Sequence, residues 1–79
     1  MKPRAANIVF EARDFTVELT DGRALTVPLA WFPVLQRATP EQREQYQISA
    51  SGAGVHWRTL DEDISVEGLI RGQRDATRR

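Results

Sequence analysis

Two alternating runs on either side of Asp21-Gly22 constrain this chain more than any other feature. Phe15, Val17 and Leu19 alternate with Thr16, Glu18 and Thr20, and Leu25 and Val27 alternate with Ala24, Thr26 and Pro28. A period of two sends one set to each face of a strand, so the segment predicts a β-hairpin with one apolar face. Charge then selects the register. A two-residue Asp21-Gly22 loop sets Glu18 opposite Leu25, and opposed residues share a face, so a carboxylate enters the apolar row. A three-residue loop, Thr20-Asp21-Gly22, pairs Val17 with Leu25 and Phe15 with Val27. It also puts Gly22 at the left-handed position that a type I turn with a G1 bulge demands. That loop is expected, with Gly22 at positive φ.

The rest of the chain is punctuated by turn and cap signals. Ile8-Val9-Phe10 reads as a strand preceding the hairpin. Trp31-Phe32-Pro33-Val34-Leu35 breaks the sheet, because Pro33 suits the first turn of a helix and not a central ladder. A short helix from about Phe32 to Arg37 is predicted, with Trp31, Val34 and Leu35 on one face. Thr39-Pro40-Glu41-Gln42 starts another: Thr39 is the N-cap, Pro40 takes N1 and Gln42 completes a capping box. Its continuation, Arg43-Glu44-Gln45, is polar, which places that helix on the surface. Tyr46, Ile48 and Ala50 alternate with Gln47 and Ser49 as a fourth strand. Ser51-Gly52-Ala53-Gly54 is a turn, and Val55-His56-Trp57 a fifth strand. Leu60-Asp61-Glu62-Asp63 reads as a loop into a final helix capped by Ser65, stapled by Ile64 and Leu69, and stopped by Gly72.

Seventy-nine residues allow one domain. The expected architecture is α+β: a single antiparallel sheet of about five strands, opening with the hairpin, and two or three short helices, the last packed on the sheet. Residues 1–72 form the domain and 73–79 a flexible Arg-rich C-terminal tail. The expected core is Phe10, Val17, Leu19, Leu25, Val27, Leu35, Ile48, Val55, Trp57, Ile64, Leu69 and Ile70.

Composition excludes several kinds of chemistry. There is no cysteine and only one histidine, which removes thiolate metal sites, a cysteine nucleophile and His-pair metal motifs. Eleven Lys+Arg balance eleven Asp+Glu, so no net field advertises a charged partner. The basic start leads into a strand rather than a signal-peptide core, and no window approaches about eighteen apolar residues, so a cytoplasmic chain without membrane contact is expected. Asp61-Glu62-Asp63 lacks the spacing of a calcium loop and reads as a solvated loop. His56 stands on the outer side of its strand, with neither an orienting carboxylate nor a nucleophile evident beside it. Ser49, Ser51 and Ser65 lie in no nucleophile-elbow sequence, and Gly52-Ala53-Gly54 lacks the Lys-Ser/Thr and helix of a phosphate loop. No catalytic, metal-binding or cofactor-binding residue is expected, and no enzyme.

Two surface features remain. The Trp31-Phe32-Pro33 corner presents apolar side chains at a strand end, where a partner can dock. The segment from Arg71 to Arg79 carries Arg71, Arg74, Arg78 and Arg79 against one aspartate, a weak and salt-sensitive contact for an acidic surface or for phosphates.

The order of motifs is distinctive: Asp21-Gly22-Arg23, Val27-Pro28-Leu29 with Trp31-Phe32-Pro33, Ala38-Thr39-Pro40-Glu41-Gln42-Arg43, then Gly54-Val55-His56-Trp57 and Leu60-Asp61-Glu62-Asp63-Ile64-Ser65-Val66. From about Ile8 to Gly72 the chain resembles the small bacterial family called domain of unknown function 2442. The resemblance implies a compact α+β domain with no established catalytic residues to carry over. Members are often encoded beside another small protein in arrangements like toxin–antitoxin pairs. Some longer relatives continue into a helix-turn-helix DNA-binding domain, and with the sequence read to Arg79 DNA reading is not expected to carry over. The expected function is a non-enzymatic protein-binding module, the antitoxin-like half of a two-gene pair, whose partner is a small protein encoded next to it or a second copy. The alternative is a nucleic-acid or small-ligand accessory domain using the basic tail or an aromatic surface.

Overall fold

The computed structural model describes residues 3–72. Strands β1 (Ala5–Phe10), β2 (Asp14–Leu19) and β3 (Ala24–Pro28) form an antiparallel sheet in that order. Val17 faces Leu25 and Phe15 faces Val27, the expected register. Leu19 N–H donates to Arg23 O at 2.8 Å and Gly22 N–H to Leu19 O at 3.1 Å, closing the three-residue loop. Gly22 has φ +94°. β1 begins three residues before the predicted strand. A register shift between Ala5 and Asn7 makes this possible, because it lets two residues three apart face the same side. Ala5 and Ile8 are thereby both buried, at 6% and 4% exposure.

A 3-10 turn over Leu29–Trp31 leads to α1 (Pro33–Arg37) and α2 (Pro40–Glu44). Phe32 is the N-cap of α1 and not its first residue. The capping box of α2 is complete: Gln42 N–H donates to Thr39 Oγ1 at 3.1 Å, and Thr39 N–H to Gln42 Oε1 at 2.9 Å. α2 buries no residue, as its polar sequence predicts. Arg43 fixes it to α1, its guanidinium donating to the carbonyls of Leu35 and Gln36 at 2.8 Å each.

The second half forms a sheet of its own from β4 (Tyr46–Ile48), β5 (Gly54–Trp57) and β6 (Glu62–Ser65), again antiparallel in sequence order. The described residues therefore form two three-stranded sheets where a single sheet of about five strands was expected. The two do not merge, because a side chain meets the edge of β1 where a further strand would pair: the Tyr46 hydroxyl accepts from Ile8 N–H at 3.3 Å and donates to Asn7 Oδ1 at 3.0 Å. β6 occupies the segment predicted as a loop, pairing Val55 with Ile64 and Trp57 with Glu62. α3 (Val66–Ile70) follows directly, with Gly68 N–H donating to the Ser65 hydroxyl at 3.1 Å and Gly72 ending it at φ +79°.

The core lies between the sheets and under α3. Val17, Leu19, Val27, Leu35, Val55, Trp57, Ile64 and Leu69 are buried as expected, joined by Ala5, Ile8, Phe15, Leu29, Phe32 and Val66. Phe10, Leu25 and Ile48 are only partly buried at its rim. Ile70 is 45% exposed, contrary to expectation. α3 turns Val66, Gly68 and Leu69 inward, and at about 100° per residue Ile70 falls to the flank of that face. Aromatic rings tie the sheets together: Phe10 lies 5.7 Å from Phe15 and 6.4 Å from both Tyr46 and Trp57. Among the described residues no helix is long and apolar enough to cross a membrane.

Candidate functional site

The outer face of the second sheet carries a shallow groove of about 490 Å³ across β4, β5 and β6. Antiparallel pairing lines up Gln47, His56 and Asp63 in one row and brings Gly54 opposite Ser65 in the next. These residues share the outward phase, since Val55 and Trp57 in the alternate phase are buried. Gly54 leaves the floor bare and lets β6 approach closely: a Cβ there would stand 3.3 Å from Ile64 O. Ser49 and Ala53 close one end of the groove.

His56 is not without a carboxylate. Its Nδ1 lies 2.7 Å from Asp63 Oδ1, directly across the β5–β6 ladder. The expectation of a histidine without an orienting carboxylate is thereby corrected: Asp63 lies on β6 and not in a loop. The pair is half of an acid–base arrangement, with the Asp63 carboxylate orienting the ring through Nδ1. The other half is missing among the described residues. The Ser49 hydroxyl accepts from Gly54 N–H at 3.1 Å and lies 3.4 Å from Ser51 Oγ, while Ser65 caps α3. Among the described residues no hydroxyl is hydrogen-bonded to His56 as a nucleophile would be to its base. Among the described residues, no three His, Cys, Asp or Glu side chains gather to hold a metal ion.

Glu62 is the second departure. The acidic run was expected to be solvated, yet Glu62 is 1% exposed while Asp61 and Asp63 face water. Asp61 bends the chain at φ +52°, and the strand phase then turns Glu62 inward beside Trp57 and Ile64.

The residues singled out as a docking corner are split. Phe32 is 5% exposed and stacks edge-on against Phe15 at 5.9 Å, so it holds the corner from inside and offers no surface. Trp31 is half-buried against the core and Pro33 is exposed at the start of α1. Arg71 is exposed and donates to Glu67 Oε2 at 3.1 Å. Arg74, Arg78 and Arg79 lie outside the described residues.

Residues 5–75 match the family described as protein of unknown function (DUF2442). The chain belongs to this family. Two solved structures carry the same fold as this DUF2442 chain. One is the crystal structure of a protein of unknown function from Rhodospirillum rubrum, with 31% identity, TM-score 0.82, and coverage of 96% of this chain and 94% of that one. The other is the solution structure of an uncharacterised protein from Chromobacterium violaceum, with 31% identity, TM-score 0.77, and coverage of 92% and 69%. No curated protein matches the chain.

Proposed function

We propose that this DUF2442 chain is a non-enzymatic module that binds another protein, and that its partner is the small protein encoded beside it, as in an antitoxin-like pair. One observation carries the reading: the serine hydroxyls lining the groove on β4–β6 are already committed within the molecule. Ser49 and Ser65 serve backbone N–H groups, and His56 is held by Asp63. A small-ligand site keeps a few convergent polar groups free to orient its ligand, and a catalytic site keeps a nucleophile. A shallow, open surface with its hydroxyls occupied suits broad contact instead. Net charge of zero and the absence of a cysteine agree with this reading.

Co-expression with the product of the adjoining reading frame, followed by purification of the complex, tests it. Ala53→Arg and Gln47→Arg place long charged side chains at exposed positions of the groove. Both are expected to keep the parent's melting temperature within a few degrees and to weaken the complex at least about tenfold. A complex indifferent to both changes removes the groove from the interface. A free chain that shifts DNA at about 50 mM salt and loses it as salt rises supports the nucleic-acid reading instead.

A further inference from the structure

We propose that the free edge of β3 pairs with β3 of a second copy of this chain, joining the two hairpin sheets into one six-stranded sheet. The hairpin geometry shows which groups are available. Leu19 N–H bonds to Arg23 O, so the hydrogen-bonded pairs run Leu19–Arg23, Val17–Leu25 and Phe15–Val27. Leu25 and Val27 therefore spend their backbone groups on β2. Ala24 and Thr26 turn N–H and C=O away from it, and Pro28 turns away a C=O. Among the described residues these groups have no partner.

The other sheet edges are closed or short. On β1, Ile8 N–H is taken by Tyr46 and Ala5 N–H donates to Gly52 O at 2.7 Å. β4 has three residues, and β6 has four and runs straight into α3. Edge strands are normally guarded by shortness, charge or proline. β3 has five residues without a charge, and its proline stands only at the end.

The sequence of β3 fits itself. A two-fold axis at its midpoint, Thr26, sets Thr26 against Thr26 and Ala24 against Pro28 of the other copy. Thr26 exchanges two hydrogen bonds across the axis, and each Ala24 N–H reaches a Pro28 carbonyl. The missing N–H of Pro28 falls at the outer end, where it costs least. Leu25, only partly buried in one copy, meets Val27 of the other. α3, which contacts β3, leaves Ile70 exposed nearby. Zero net charge removes repulsion between copies. A strand pair alone buries less than the roughly 1,200 Å² of a standard interface, so the dimer is weak and concentration-dependent.

Light scattering coupled to size exclusion, from low micromolar to about 1 mM chain, reads the mass directly. The parent is expected to move from 9.0 kDa towards twice that value. Thr26→Lys sets two ammonium groups opposite each other at the axis and is expected to raise the midpoint concentration at least about tenfold. An equimolar mixture of Thr26→Lys and Thr26→Glu chains is expected to restore association as a mixed dimer. Thr26→Pro removes the outward N–H together with the 2.8 Å hydroxyl contact to Thr16, leaves the backbone ladder to β2 whole and has the same effect as lysine. Thermal melts show that each variant is folded. A parent that stays at 9.0 kDa up to about 1 mM overturns the proposal. A dimer that survives both the lysine and the proline variants also overturns it. The edge is remote in sequence from the groove on β4–β6, so its failure leaves the binding reading of that groove untouched.

Discussion

At the scale of single residues, the hairpin turn separates backbone strain from crowding. Gly22 has φ +94°, and nothing lies within 4 Å of where its Cβ would stand. Substitution there is limited by backbone conformation alone. Gly22→Val is expected to cost more than about 1–2 kcal/mol, and Gly22→Asn clearly less, because asparagine tolerates the left-handed region and a β-branched side chain does not. Equal loss of stability in urea titrations of the two variants contradicts this account of the turn. Its neighbour Asp21 carries a pH signature. The Arg23 N–H donates to its carboxylate at 3.0 Å and Arg23 Nε at 2.7 Å, and the backbone bond above all holds the Asp21 pKa below 3.8. A depressed carboxylate pKa stabilises the fold above the unfolded value and ceases to do so as pH falls through the folded value. Melting temperatures of the parent and Asp21→Asn are therefore expected to differ near neutral pH and converge in acid. A gap that persists at the acid end rules out the carboxylate as its source. Glu62 and His56 show where residue-level reading failed. Leu60, Glu62, Ile64 and Val66 do alternate with Asp61, Asp63 and Ser65, a strand phase visible in the sequence. Three consecutive acids masked it, since charge runs are normally solvated. With the strand unread, the cross-strand partnership of His56 and Asp63 was invisible too.

Caps made the helices legible at the scale of elements. Each helix has only five residues, too short to be stable alone, so the side chains that end it matter more than propensity. Thr39 and Gln42 exchange both bonds of the capping box, and Ser65 caps α3. Ser65→Ala is expected to cost about 0.5–2 kcal/mol, and Leu69→Ala, on the inner face of the same helix, about 2–5 kcal/mol. The larger value approaches the whole stability of many small domains. Thermal unfolding of the two variants checks the order; a Leu69→Ala protein that melts within a degree or two of the parent removes α3 from the core. The bulge in β1 and the burial of Phe32 were not legible. Both depend on what lies opposite: the bulge on β2, and the Phe32 ring on Phe15, some seventeen positions earlier in the chain and on the other side of the hairpin. Local period and cap chemistry carry no information on such pairings.

At the scale of the whole molecule, the sequence offered strands but not their partition into sheets. Whether β4 extends the first sheet or begins another is decided by one side chain at the junction. The Tyr46 hydroxyl takes the Ile8 N–H and reaches Asn7, while its ring packs 6.3 Å from Trp57 and 6.4 Å from Phe10. Trp57 in turn donates its Nε1–H to Arg43 O at 2.9 Å, tying the second sheet to α2. The aromatic rings make the two sheets one core, and the hydroxyl satisfies an edge that otherwise faces an apolar neighbour. Removing only that oxygen leaves the rings in place and the Ile8 N–H without its acceptor, at a cost of about 1–3 kcal/mol. Tyr46→Phe is thus expected to lower the urea midpoint while the slope of the transition stays the same, because the surface exposed on unfolding does not change. Fluorescence from Trp57, read in a Trp31→Phe background, and amide exchange in β1 and β2 are expected to report one shared transition with and without the Tyr46 hydroxyl. If the two sheets instead lose structure at separate urea concentrations in the parent, the aromatic junction does not couple them, and each three-stranded sheet is its own folding unit.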